Sequence, residues 1–242
     1  MKCSNSDCPT DRDPFPLSSV GDPLARSKNI SPADLASRIG SQSPAVYCYV
    51  IATIKNREGH LVQAGCGPNF HGGLISLCTC KHFMRSFRGV RSWKGTWIAG
   101  FTRKRIGGGR NALVYLMQVG HAFESHYDLW ASREGTINPD KSAKSARRNP
   151  LGDLYEPKGE LLGDDRFDPR NYHAPCRGHS HASQWHQDVS YRGRGGRPAA
   201  LLVGDAENSF VWDTPAIFYP DSLGRGQKKL SLGELLHRLS AG

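Results

Sequence analysis

The chain of 242 residues contains no apolar run near the roughly 18 residues that a membrane-spanning helix needs, which argues against a helical membrane protein. Its opening stretch, MKCSNSDCPTDRDPFP, has no apolar segment of the kind a secretory signal carries. Cysteine is present in an odd number, seven, with no regular spacing that would suggest a disulfide framework. We therefore expect reduced thiols and a cytoplasmic protein. Several catalytic signatures are missing: no Walker A loop, no G-x-S-x-G, no H-E-x-x-H and no C-x2-C pair. Acidic residues are missing from one long stretch, for none lies between Glu58 and Glu124.

That last absence shapes the electrostatics. The chain carries a net charge of +10, and the acid-free stretch holds nine basic residues: Lys81, Arg85, Arg88, Arg91, Lys94, Arg103, Lys104, Arg105 and Arg110. Phe83, Phe87, Trp93, Trp97 and Phe101 are interleaved with them. Stacking combined with phosphate neutralisation is how nucleic-acid grooves work, so the segment points to a polyanionic partner, DNA or a nucleotide. The competing reading is a solvated basic face whose aromatics turn into the core. If about six of these groups met duplex phosphate, log K against log salt would slope by about −5.

The 27 glycines and 15 prolines imply generous loops around one domain. Residues 1–30, rich in Ser, Pro and Asp, read as a flexible leader before a domain over 31–242. Ser31-Pro32-Ala33-Asp34 is a helix start and Gly40 its stop. Val46 to Lys55 is β-branched and aromatic, apolar on both faces, and reads as a central strand. A glycine-rich loop over 65–73 precedes a short apolar run, then a helix over Lys81 to Arg88. Thr96 to Thr102 and Asn111 to Val119 read as strands joined by a basic hairpin. A short helix is expected over His126 to Arg133, and residues 135–198 are irregular. Ala199 to Val203 reads as a buried strand, Trp212 to Tyr219 as a last strand or turn, and Ser231 caps an amphipathic helix. The irregular alternation favours an α+β fold with a mixed or antiparallel sheet, able to close into a small barrel, with flanking helices and a long His/Arg/Gly-rich loop.

Three constellations carry chemistry. Cys78-Thr79-Cys80-Lys81, followed by Arg85, sits where a strand gives way to a helix. A helix start and a neighbouring lysine both favour a thiolate, so Cys78 or Cys80 is a candidate nucleophile, and Lys81 and Arg85 are candidate phosphate ligands. Four of the ten histidines and Cys176 crowd into residues 173–186. Their spacing matches no zinc signature, and general acid–base work by His179 or His181 is the preferred reading; no metal ligands are assigned, and zinc stays an alternative. Asp153 and Tyr155 alternate along an extended segment and can face one site together.

The ordered series Gly67-Pro68-Asn69-Phe70, Leu77-Cys78-Thr79-Cys80-Lys81, Arg85, Trp97-Ile98-Ala99-Gly100, Leu113 to Val119, Tyr127-Asp128-Leu129-Trp130, Gly152-Asp153-Leu154-Tyr155 and His179-Ser180 resembles the nucleotide modification associated domain family, the DNA base hypermodification proteins of phages and bacteria. The resemblance covers roughly residues 45–220 and implies a place among base-modification enzymes. The strands around Trp97 and Tyr115 also look like those of a PUA-like barrel, although the Gly-Asp turn frequent there reads Gly95-Thr96 here. The combined expectation is a transferase that modifies a nucleobase or nucleotide. Lys81, Arg85, Arg103 and Arg105 would meet phosphate. Trp97 or Tyr115 would stack the base. His179 or His181 would handle protons, with Asp153 and Tyr155 orienting the substrate. The alternative is a non-catalytic PUA-like reader using the same aromatics and cations. The cofactor is unspecified.

Overall fold

A computed structural model of the protein describes residues 13–40, 44–132, 140–161, 165–224 and 226–240. In chain order the elements are β1 (Phe15–Pro16), α1 (Pro32–Ile39), β2 (Ala45–Val50), β3 (Ile54–Arg57), β4 (His60–Gln63), β5 (Ser76–Leu77), α2 (His82–Arg85), β6 (Trp97–Phe101), β7 (Asn111–Phe123), α3 (His126–Ala131), α4 (Lys141–Lys144), α5 (Trp185–Ser190), β8 (Leu201–Val211), β9 (Phe218–Tyr219), β10 (Gln227–Ser231) and α6 (Leu232–Ser240). They form an α+β fold around a mixed seven-stranded sheet in the order β10-β2-β6-β7-β8-β5, with β9 on β7, and a second, three-stranded sheet β1-β4-β3.

The local signals account for the elements. Ser31 Oγ accepts the Asp34 N–H, Pro32 opens α1, and Gly40 takes φ 69° to end it. Val46 to Val50 sits inside the sheet, antiparallel to β10 and parallel to β6. The parallel pairing requires a long crossover, which holds β3 and β4 of the small sheet, the glycine loop and α2. β6 and β7 pair antiparallel across the basic hairpin. Register shifts near Gly100 and between Met117 and His121 bend the sheet into a half-barrel. Gly100 is needed there, since a Cβ would fall 2.2 Å from the Tyr115 ring.

Both faces of the sheet are covered, as the two-sided apolar strands require. Val46, Cys48, Trp97, Ala99, Phe101 and Phe210 pack under α1 and α6 through Leu35, Leu232, Leu235 and Leu239. Tyr47, Tyr49, Ile98, Tyr115 and Met117 face the other way, onto Leu17, Leu24, Met84 and Trp93. This second core corrects the expectation of a flexible leader for residues 13–30. Leu17 and Leu24 are fully buried, and Phe15–Pro16 pairs with Val62–Gln63. Polar composition concealed the segment because a handful of apolar side chains anchor it. Cys3 and Cys8 lie outside the described residues. Among the described residues no helix is long and apolar enough to cross a membrane.

Candidate functional site

The segment between β5 and α2 brings the first constellation to the sheet's second face. Cys80 is half-buried, and its thiol donates to the Gly67 carbonyl at 3.4 Å. Gly67 must lack a side chain, for a Cβ would stand 2.8 Å from Cys80 Sγ. Lys81 adopts φ 60°, ψ 36°, a left-handed conformation seldom taken by a long side chain. That turn separates the directions of Cys80 and α2. The Lys81 amine lies 4.7 Å from the Tyr49 ring centroid.

Arg85 holds the turn in place. It is 1% exposed, and its guanidinium donates to the carbonyls of Cys80 (2.7 Å), Cys78 (2.9 Å), Ala200 (2.6 Å) and Ala199 (3.1 Å). The expected phosphate contact is therefore corrected: the planar fork is consumed by main-chain acceptors. Arg85 instead ties the Cys78–Cys80 turn to the start of β8 and sets a positive charge beside Cys80.

The His-rich loop and α5 supply the other half of the site. His181 Nδ1 lies 2.8 Å from Asp188 Oδ2, the same oxygen that accepts the Tyr155 hydroxyl at 2.6 Å. His82 Nε2 stands 3.0 Å from Asp188 Oδ1. Burial opposes ionisation of Asp188, but its contacts to His181, His82 and Tyr155 outweigh burial and hold the carboxyl well below the usual range. The hydrogen bond that His181 donates to Asp188 raises His181 in turn, against the opposing effect of burial. For His82, burial prevails over Asp188 and favours the neutral ring.

These surroundings distinguish the cysteines. The Cys80 thiol is lowered to about 7, first by a hydrogen bond from Cys66 and then by the charges of His181 and Arg85, against the opposing effects of burial and of the Asp188 carboxylate. Cys66 is pushed up as the donor of that pair, and its sulfur also lies 3.2 Å from Thr79 Oγ1. Burial pushes Cys78 up, aided by Asp153. Of the two cysteines proposed as nucleophile, only Cys80 sits where a thiolate is favoured.

Other expected site residues have structural positions. His179 is buried, its Nδ1 accepts the His181 N–H at 3.1 Å, and Nε2 reaches Gly152 O at 2.7 Å. With Nδ1 accepting, Nε2 carries the proton. Both nitrogens are engaged, so acid–base work is corrected to positioning of His181. Asp153 is fully buried, accepting Ser76 Oγ at 2.9 Å and the Cys78 N–H at 3.1 Å. Lys144 completes that network through Ser76 Oγ at 2.9 Å and Asn69 Oδ1 at 3.0 Å. Asp153 thus fastens the loop to β5. Tyr155 is buried between His126 and Trp185. Trp97 stacks on Phe210 inside the α1–α6 core, and the Tyr115 hydroxyl meets that of Tyr49 at 2.9 Å. Neither Trp97 nor Tyr115 offers a free face, which corrects the expectation that they stack a base.

Solvent-facing cations remain. Lys81, Arg103 and Lys104 line an open cleft of about 620 Å³ with Val50, Asn111 and Leu223. Arg105 is exposed on the same hairpin but does not line it. Among the described residues no group of three or more His, Cys, Asp and Glu is arranged to hold a metal. Sequence reasoning missed Asp188, His82 and Cys66. Asp188 belongs to no motif; the only local hint is an acid seven residues after His181.

No family model matches the chain, nor does any curated protein or any solved structure.

Proposed function

We propose that the protein is a thiol-dependent enzyme that modifies a nucleobase or nucleotide. Cys80 is the nucleophile, His181 the proton carrier and Asp188 the group that orients and charges it. The observation that carries this reading is the Asp188–His181 contact at 2.8 Å, whose imidazolium charge favours the Cys80 thiolate. A Cys–His pair with the imidazole held by a third group is the general arrangement for nucleophilic catalysis. In the step we propose, Cys80 Sγ⁻ attacks an electrophilic carbon of the substrate and forms an S–C bond. The leaving group departs with the bonding pair and takes the proton from the His181 imidazolium. Water or an acceptor alcohol or amine, deprotonated by His181, then displaces Cys80 and restores the thiolate.

The cleft of Lys81, Arg103 and Lys104 supplies the cations for a phosphate-bearing substrate, and the acid-free stretch from which they come supports this choice. The resemblance to DNA base hypermodification proteins points the same way, with other base-modification enzymes as functional partners. A reducing, cytoplasmic compartment suits the unoxidised Cys66 and Cys80.

The test is to express the protein beside a plasmid, digest the DNA and the nucleotide pool, and weigh the nucleosides. A new nucleoside mass, absent with Cys80→Ser and with His181→Ala, is expected. A new mass that survives both substitutions would overturn the assignment.

A further inference from the structure

Beside α2 lies a second concavity that the proposed chemistry does not use. It is a groove of about 380 Å³ lined by Phe83, Ser86, Phe87, Arg194 and Arg197. Phe83 and Phe87 are 63% and 47% exposed, and they are the exposed large apolar residues among the described ones. Their ring centroids are 4.7 Å apart at an angle of 57°. Two solvent-facing phenyl rings, one on α2 and one just past its end, have no packing reason of their own.

The opposite wall is basic. Arg197 donates to the Phe87 carbonyl at 3.0 Å, which joins the two walls. Arg194 has no ion-pair partner among the described residues. Gly193 packs against the Ser86 side chain at the end of α2, since a Cβ there would fall 2.1 Å from Ser86 Oγ. Both walls come from segments without acids: 59–123 on one side, and 189–204, which contributes Arg192, Arg194 and Arg197, on the other. The groove also joins the thiol site by covalent structure. Phe83 follows Lys81 by two residues, and His82 between them contacts Asp188 and stacks on Tyr191.

We infer that this groove binds single-stranded nucleic acid, with bases stacked on Phe83 and Phe87 and phosphates paired to Arg194 and Arg197. Aromatic faces beside cations suit a strand whose bases are unpaired and whose backbone is charged. The inference deepens the proposed function: it rests on that reading for its purpose, and it makes a polynucleotide, not a free nucleotide, the substrate.

Binding of fluorescein-labelled (dT)20 is measured by anisotropy across a salt series. Wild type is expected to bind the single strand more tightly than a duplex of the same length. Phe83→Ala/Phe87→Ala is expected to weaken binding about 10- to 100-fold, with Phe83→Tyr/Phe87→Tyr restoring most of it. Arg194→Ala/Arg197→Ala is expected to reduce the slope of log Kd against log salt by about 1.4. Equal affinity of wild type for the duplex or for poly-glutamate, or unchanged affinity in the Phe pair, would overturn the inference. Unaltered thermal melts of the variants show that they are folded. Alkylation of Cys80 in the same variants separates the two proposals: lost oligonucleotide binding with an unchanged thiol marks a defect of the groove alone.

Discussion

At the scale of single residues, charge and hydrogen bonding give three similar thiols different properties. Cys66, Cys78 and Cys80 lie within fifteen residues of sequence, yet Cys66 and Cys78 are pushed up while Cys80 comes down to about 7. The rate of iodoacetamide labelling at Cys80, followed by peptide mass, should therefore rise with pH around a midpoint near 7. Cys66→Ala removes the hydrogen bond that favours the Cys80 thiolate and should move the midpoint up, toward the ordinary thiol value of about 8.5. His181→Ala should shift it in the same direction, since a positive charge is lost. A midpoint unmoved by either change would mean that the thiol is not tuned by these neighbours.

At the scale of elements, the two faces of the large sheet have different duties. α1 and α6 seal one face with aliphatic side chains, while α2, α5 and the His-rich loop assemble the thiol site on the other. Leu235 is fully buried on the sealed face. Leu235→Ala should lower unfolding free energy by about 2–5 kcal/mol in urea titrations, through lost burial and the cavity left behind. The Cys80 labelling midpoint should not move, because the sheet lies between the two. α2 shows the reverse emphasis: four residues long, it gains little from helix propensity and is held by Arg85 and the His82–Asp188 contact.

Over the whole molecule, the buried His126 and the half-buried His71 govern the response to acid. Burial lowers His126 to about 3 and His71 to about 4, with Lys144 adding to the effect on His71. Both rings titrate near 6.5 when unfolded, so between pH 6.5 and their folded values the unfolded chain binds more protons. Stability should therefore fall as pH drops below 6.5, each ring adding a slope that approaches about 1.4 kcal/mol per pH unit. His181 acts oppositely, its raised value giving stability below 6.5 that is lost as pH rises through the folded value. Calorimetric melts between pH 7 and 5 should show a net loss on acidification, and His126→Gln should shallow it. An unchanged slope in that variant would assign the acid sensitivity elsewhere.

Much of the frame was legible in local patterns. Ser31, Pro32 and Gly40 mark α1; the two-sided apolar run at 46–50 marks an inner strand; Leu232, Leu235 and Leu239 mark the face of α6. Each depends on neighbours a few residues away, where backbone preference and periodicity act. Cys80, Lys81 and His181 were visible as residue types suited to chemistry. Their roles were not, because a role depends on what lies across the fold. Arg85 looks like a phosphate ligand until four carbonyls, two of them more than a hundred residues distant, occupy its donors. Trp97 and Tyr115 look like stacking platforms until the sheet buries them, while Phe83 and Phe87, identical in kind to core residues, are left outside. Asp188 becomes important only when folding brings His181, His82 and Tyr155 to one carboxylate, and no spacing along the chain encodes that convergence.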